Sequence, residues 1–358
     1  MSGSSSLPRP YPDVSAHESP APRFEQLVRA LLANAGFEIV EQGRLGPDAG
    51  FDFLAQRNDE RWVIEVKFYR TERPQLSLVE TAAALLAAAA ANQEATRGLL
   101  VLSATLTEAQ RDSLAERYGL VLMDRWDLLE LAQLHPDLFD SLVGLFDGAE
   151  GDIGRARGRT AREAIEHPWR WPTPGAALRR DSRGASLCRE LRSMDRGTGA
   201  WRQYEQLCER ILRYLFPAGL HGWHKQKRSG DGLNRFDFIC RVTPDAEFWR
   251  FVVQEVNSRY ILFEFKNYAL PIKQGQVLTT EKYLLERGLR RVAIILSRKG
   301  ASESAIKMTQ GAMREHGKLI LVLDDDQVCQ MLHMKQRGED PTDLLFELAD
   351  DFLLGLPR

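Results

Sequence analysis

The chain has 358 residues, 44% hydrophobic and 27% charged, a balance that suits a soluble globular protein with room for two cores. Its formal net charge is −2, so no overall basic balance draws it to nucleic acid, and any such surface has to be local. The four cysteines, Cys188, Cys208, Cys240 and Cys329, form no C-x-x-C pair, which argues against a disulfide framework or a zinc knuckle and fits a reducing cytoplasm.

Residues 1–20 are rich in Ser and Pro and lack an apolar run; they read as a flexible tail rather than a signal peptide. A first unit is expected over residues 21–150. "RFEQLVRALLANAG" repeats Phe24, Leu27, Val28, Leu31 and Leu32 at helical spacing and predicts a helix stopping near Gly36. Short strands follow in "FEIVEQ", "GFDFLAQ" and "RWVIEVKFY". The Ala-rich run 81–91 is too short to span a bilayer and predicts a buried or interfacial helix. Then come strand "GLLVLSA", helix "LTEAQRDSLAERYG", strand "LVLMD" and a helix from Trp126.

Residues 151–198 read as a Gly-, Pro- and Arg-rich linker with a short helix. Over 151–200 there are eleven Arg against six Asp and Glu. A sharper reading makes this a strap on DNA phosphates, docked by Trp169 and Trp171.

The second unit, 199–358, repeats the order of the first. Helix 201–216, strands 235–242 and 260–267, helix 273–287, strand 291–297, a helix from Glu303, strand 318–324 and a helix from Asp325 follow in turn. The offset grows from 180 residues between Glu25 and Glu205 to 199 between Glu65 and Glu264. Most of that growth is an insertion at 243–259, expected to be a hairpin or an extended strand pair.

The chemistry sits in two strands. In "WVIEVKFYR", Trp62, Ile64, Val66 and Phe68 form one face, and Glu65 and Lys67 leave the other side together. "ILFEFKNYA" does the same with Glu264 and Lys266. Upstream, Asp52 stands between Phe51 and Phe53, and Asp237 between Phe236 and Phe238. If each short strand pairs with its charged strand, an Asp and a Glu converge. Two carboxylates offer hard oxygen ligands for Mg²⁺, and the lysine can position water and stabilise negative charge at a phosphate. A third acid recurs on the first helix, Glu25 in "FEQL" and Glu205 in "YEQL". The plainer readings are a surface ion pair on an edge strand, which contributes little, turn chemistry for the aspartates, and first-turn acids at a helix dipole. Recurrence at matching positions weighs against the first. His221 and His224 read as ordinary surface histidines, and Asp324, Asp325 and Asp326 as caps of the following helix.

Asp52…Glu65-Val66-Lys67 and Asp237…Glu264-Phe265-Lys266 resemble the D…(D/E)-x-K motif of the PD-(D/E)xK nucleases. The first unit is most similar to the Mrr-type restriction endonuclease domain. The resemblance covers about 24–133 and, more loosely, 201–335. It implies an α/β architecture of two tandem restriction-endonuclease-like domains, each a small mixed sheet flanked by helices. It also implies metal ligation by Asp52, Glu65, Asp237 and Glu264, catalytic lysines at 67 and 266, and auxiliary acids at Glu25 and Glu205. Gln274 and Gln276 are expected to face the second site.

The activity implied is Mg²⁺- or Mn²⁺-dependent hydrolysis of DNA phosphodiesters in bacterial restriction or anti-phage defence, in the cytoplasm and away from membranes. The partners are DNA, a recognition protein or ATPase, and a second copy of the chain. The alternatives are a non-cleaving module that binds DNA or a partner, and a nuclease for RNA or branched DNA. The chain contains no G-x-x-x-x-G-K-[ST] run, so any ATP dependence comes from elsewhere.

Overall fold

The computed structural model describes residues 20–42, 50–146, 165–166, 182–225 and 237–357. The expected N-terminal tail lies outside them apart from its last residue. So does most of the expected linker, including Trp169 and Trp171. The chain divides into two units. One contains the described residues up to 166 together with Gln336–Asp340, and the other contains Ser182–Lys335 and Pro341–Arg358.

The first unit runs α1 (Pro20–Asn34), β1 (Glu38–Gln42), β2 (Phe53–Arg57), β3 (Glu60–Lys67), α2 (Leu76–Asn92), β4 (Arg97–Leu102), α3 (Glu108–Tyr118), β5 (Val121–Met123), α4 (Arg125–Ala132) and α5 (Pro136–Leu145). The sheet order is β1-β2-β3-β4-β5. The first two pairings are antiparallel and the last two parallel. The parallel pairs need helical crossovers, which α2 and α3 supply.

Alternation along β3 sends Trp62, Ile64 and Val66 to a core built with Phe24, Val28, Leu31 and Leu32 of α1 and Leu128 and Leu129 of α4. Val63 joins a second core with Leu78, Val79, Ala82 and Leu86 of α2 and Leu114 of α3. Each such side chain fully removed from water contributes about 1.5–3 kcal/mol. Both faces of the sheet are therefore covered, and Glu65 and Lys67 do not face solvent. The helix expected from Trp126 is two helices. Pro136 cannot continue α4 and instead opens α5.

The second unit runs α6 (Arg183–Ser193), α7 (Trp201–Leu215), β6 (Leu220–Lys225), β7 (Phe238–Val242), α8 (Glu247–Gln254), β8 (Tyr260–Lys266), α9 (Gln274–Tyr283), β9 (Val292–Ser297), α10 (Glu303–His316), β10 (Leu319–Leu323), α11 (Asp325–Gln336) and α12 (Thr342–Leu354). Its five strands lie in chain order across the sheet. They pair antiparallel, antiparallel, parallel, parallel, as in the first unit. In both units the helix before the last strand ends on a left-handed glycine, Gly119 (φ 66°) and Gly317 (φ 59°), where a side chain would be strained.

Three expectations are corrected in this unit. The insertion at 243–259 is not extended: Phe248, Trp249 and Val252 are buried at helical spacing on α8. The linker ends before 198, because α6 buries Leu187, Cys188 and Leu191 in the second unit's core. Cys188 and Cys329 form a disulfide across 141 residues, joining α6 to α11, while Cys208 and Cys240 are free and buried. Among the described residues, no helix is long and apolar enough to cross a membrane.

Candidate active site

The site of the first unit is built on β3, the middle strand of five. The β2–β3 ladder begins with Phe53 opposite Ile64, and the Asp52 N–H extends it by donating to the Ile64 carbonyl at 2.9 Å. Beyond that point Val66 has no strand residue opposite it in this ladder. The Asp52 carboxylate takes the missing place, with Oδ2 accepting from the Val66 N–H at 2.7 Å. Asp52 thus lies one residue before the strand rather than inside it, and its charge is pinned beside Glu65 and Lys67.

The second unit repeats the carboxylate bond. Phe238 stands opposite Phe263. Asp237 lies one residue before β7, and its Oδ2 accepts from the Phe265 N–H at 2.8 Å. In each case the carboxylate holds the N–H of the residue between the glutamate and the lysine.

The Glu-Lys pairs are buried. Glu65 and Lys67 are each 5% exposed, with Lys67 Nζ 2.5 Å from Glu65 Oε1. Glu264 is 3% exposed, and Lys266 Nζ lies 2.7 Å from its Oε2. A surface ion pair on an edge strand is excluded at both places.

Burial pushes the Glu65 carboxyl up to about 7 against the pull of Lys67, with Asp52 adding repulsion. Glu264 is pushed up to about 7 by burial and by Asp237, against the pull of Lys266. Asp52 is also raised by burial; Lys67, the Val66 N–H and a hydrogen bond with Glu65 act the other way. Burial works to lower both lysines, but their acidic neighbours overcome it and hold both above the usual lysine range. Each lysine is therefore a fixed cation and hydrogen-bond donor.

Carboxyls such as Asp52 and Glu65, both raised by burial, suit a divalent cation, whose charge favours their ionised forms. Glu264 Oε1 is buried without a hydrogen-bond partner, an oxygen such an ion would satisfy. Among the described residues no group of three or more His, Cys, Asp or Glu side chains is placed to hold a metal. Each site offers a pair, and Mg²⁺ commonly binds through one or two carboxylates and several waters.

The other expected residues fall as follows. Glu25 and Glu205 are half-buried on α1 and α7, each beside a buried aromatic, Phe24 and Tyr204. The Phe24 ring lies 5.6 Å from that of Phe68, the residue after Lys67. Gln274 is exposed at the start of α9. Gln276 caps that helix, with Oε1 accepting from the Lys273 N–H at 3.0 Å. Asp324 caps α11 through the Gln327 N–H at 2.8 Å, and Asp325 pairs with the buried Arg298 at 2.8 Å. His221 and His224 are exposed on β6, either side of an irregularity in its pairing.

Two residues near the sites carry no local sequence signal. Tyr283 on α9 is close enough to Glu264, Lys266 and Asp237 for all three to act on its hydroxyl. Glu339, within the first unit, places Oε1 3.5 Å from Lys67 Nζ.

Residues 16–132 match the family model Mrr_cat, described as restriction endonuclease, and the first unit has a restriction-endonuclease-like fold of this type. The match spans about a third of the chain and contains Asp52, Glu65 and Lys67. No curated protein matches the chain. Among solved structures, the restriction endonuclease FokI aligns over 80% of this chain and 50% of its own, at 10% identity and a TM-score of 0.31. The chain thus spans about half the length of that enzyme, and a likeness this loose assigns nothing.

Proposed function

We propose that the chain is a metal-dependent endonuclease that hydrolyses DNA phosphodiester bonds, with one catalytic centre in each unit and a role in restriction or anti-phage defence. One observation carries the reading. The same construction appears twice, in two sheets of one topology: an aspartate bonded to the backbone between a buried glutamate and its lysine. A fold needs no such arrangement once, since apolar side chains of similar volume would pack at least as well. The family description of residues 16–132 supports nuclease chemistry and the defence role.

Asp52 with Glu65, and Asp237 with Glu264, are the residues to hold Mg²⁺ or Mn²⁺, which when bound stabilises charge on the phosphate oxygens. Lys67 and Lys266 act as donors. Held ionised, each offers N–H groups to a non-bridging phosphate oxygen or to the attacking water, and its charge counts most where water is excluded. The aspartate hydrogen bonds lock the ends of β3 and β8, so that glutamate and lysine leave the sheet at a fixed spacing.

The test is incubation of plasmid DNA with the full chain and Mg²⁺ or Mn²⁺, with a chelator control. Cutting that appears with metal and stops with chelator supports the proposal. Cutting that survives chelation sinks the metal-dependent reading.

A further inference from the structure

We infer that Gln336–Asp340 is a built-in cover for the first site, in which the Glu339 carboxylate occupies Lys67 in place of a substrate phosphate. This inference rests on the proposed nuclease function of that site. By its contacts the segment belongs to the first unit, and three anchors fix it there.

The buried Tyr69 donates from Oη to the Gly338 carbonyl at 2.7 Å. Gly338 itself lies against the backbone of α2 with φ +76°, and a Cβ there would come within 2.5 Å of the Leu78 carbonyl oxygen and 2.8 Å of the Ala82 nitrogen. Only glycine allows that approach. The third anchor is Glu339 on Lys67 at 3.5 Å.

Glu339 is not a spare metal ligand. Its Oε1 also accepts from Arg337 Nε at 2.9 Å and its Oε2 from Arg337 Nη2 at 2.9 Å. Burial acts to raise its pKa, yet Lys67 and Arg337 hold it below the usual glutamate range. It is a fixed anion on Lys67, the residue proposed to meet the phosphate. With Glu339 present, three carboxylates surround Lys67, whose side chain is 7% exposed; Lys266 is 19% exposed. A DNA phosphate would have to displace Glu339 to reach the ammonium. The Glu339 carboxylate is itself 28% exposed, so the contact is weak enough to be exchanged.

The experiment uses the full chain carrying Lys266→Ala, so that only the first site is read. Into it go Glu339→Gln, which removes the anion, and separately Gly338→Ala, which dislodges the segment by its backbone. Two quantities are measured: the rate of Lys67 acetylation by an amine reagent without DNA, read by mass spectrometry, and the nicking rate of plasmid with Mg²⁺. Both variants are expected to label Lys67 and to nick about fivefold faster, the equivalent of one partly exposed ion pair. Unchanged labelling in both variants overturns the cover. Faster labelling with slower nicking in Glu339→Gln also overturns it, because Glu339 would then work in the reaction. Faster labelling in both, with no cutting by any protein including the unmodified chain, leaves the cover standing and removes the nuclease reading instead.

Discussion

Replacing Lys67 by Met should destabilise the first unit at pH 8 and hardly at pH 5, and adding Glu65→Gln should restore it. Glu65 is 5% exposed and its cation lies 2.5 Å away. Even with that cation its carboxyl titrates at about 7, not at the ordinary 4.5. A shift of that size corresponds to about 3 kcal/mol of cost for holding the charge in the fold. A group whose folded value is raised contributes stability that is present below its unfolded value and lost as pH rises through the folded one. Removing Lys67 raises the folded value further, so the loss continues above pH 7. At pH 5 the folded carboxyl is already protonated in both proteins. The expected deficit at pH 8 is about 3–5 kcal/mol, the range for breaking a buried pair. The double variant leaves no buried charge in the pair and should match or exceed the unmodified chain. Hydrogen exchange of the β3 amides in the full chain reads this locally. A Lys67→Met protein as protected at pH 8 as the unmodified one would refute the buried-pair argument, as would a double variant no better than the single.

Other outcomes follow from the same geometry. Asp52→Asn keeps an oxygen for the Val66 N–H and should fold normally while losing metal binding and cutting at the first site. Asp52→Ala should in addition lose about 1–3 kcal/mol, because a buried N–H is left unpaired; equal stability of the two by urea melts would count against the carboxylate's backbone role. Metal binding has to displace protons from carboxyls that titrate near 7, so Mn²⁺ affinity by calorimetry should fall about tenfold per pH unit below that, and a flat profile from pH 5 to 8 would contradict the assignment. Thiol titration of the denatured, unreduced chain should find two reactive cysteines, Cys208 and Cys240, rising to four after reduction; four from the start would mean the Cys188–Cys329 bond is absent in solution.

Much of this arrangement is visible in the sequence because its signals are local. β3 and β8 read correctly since alternation is a two-residue property, and Glu-x-Lys stands out because it puts two charges on the face opposite the apolar set. The repeat of helix and strand order is equally local, and the two sheets share one topology. What the sequence conceals is set by distant partners. "EFWRFVVQ" is rich in aromatic and β-branched residues, which favour strands, but packing of Phe248, Trp249 and Val252 against the core makes it α8. The Arg-rich composition around Leu187 and Leu191 hides the apolar stripe of α6. Glu339 lies 272 residues from the lysine it touches, and Cys329 lies 141 from its partner. No periodicity connects residues so far apart. The capping role of Asp52 needs the strand register, which fixes where the β2 ladder stops.

The central claim is that two Asp-Glu-Lys centres cut DNA, and a lysine panel tests it most directly. Supercoiled plasmid and phage DNA, modified and unmodified, would be incubated with Mg²⁺ or Mn²⁺ and the unmodified chain, Lys67→Ala, Lys266→Ala or both. The account predicts metal-dependent cutting by the unmodified chain, a slowed or nicking-only reaction for each single variant, and none for the double. A double variant that cuts as fast as the unmodified chain, or an unmodified chain that cuts none of these substrates, would contradict it.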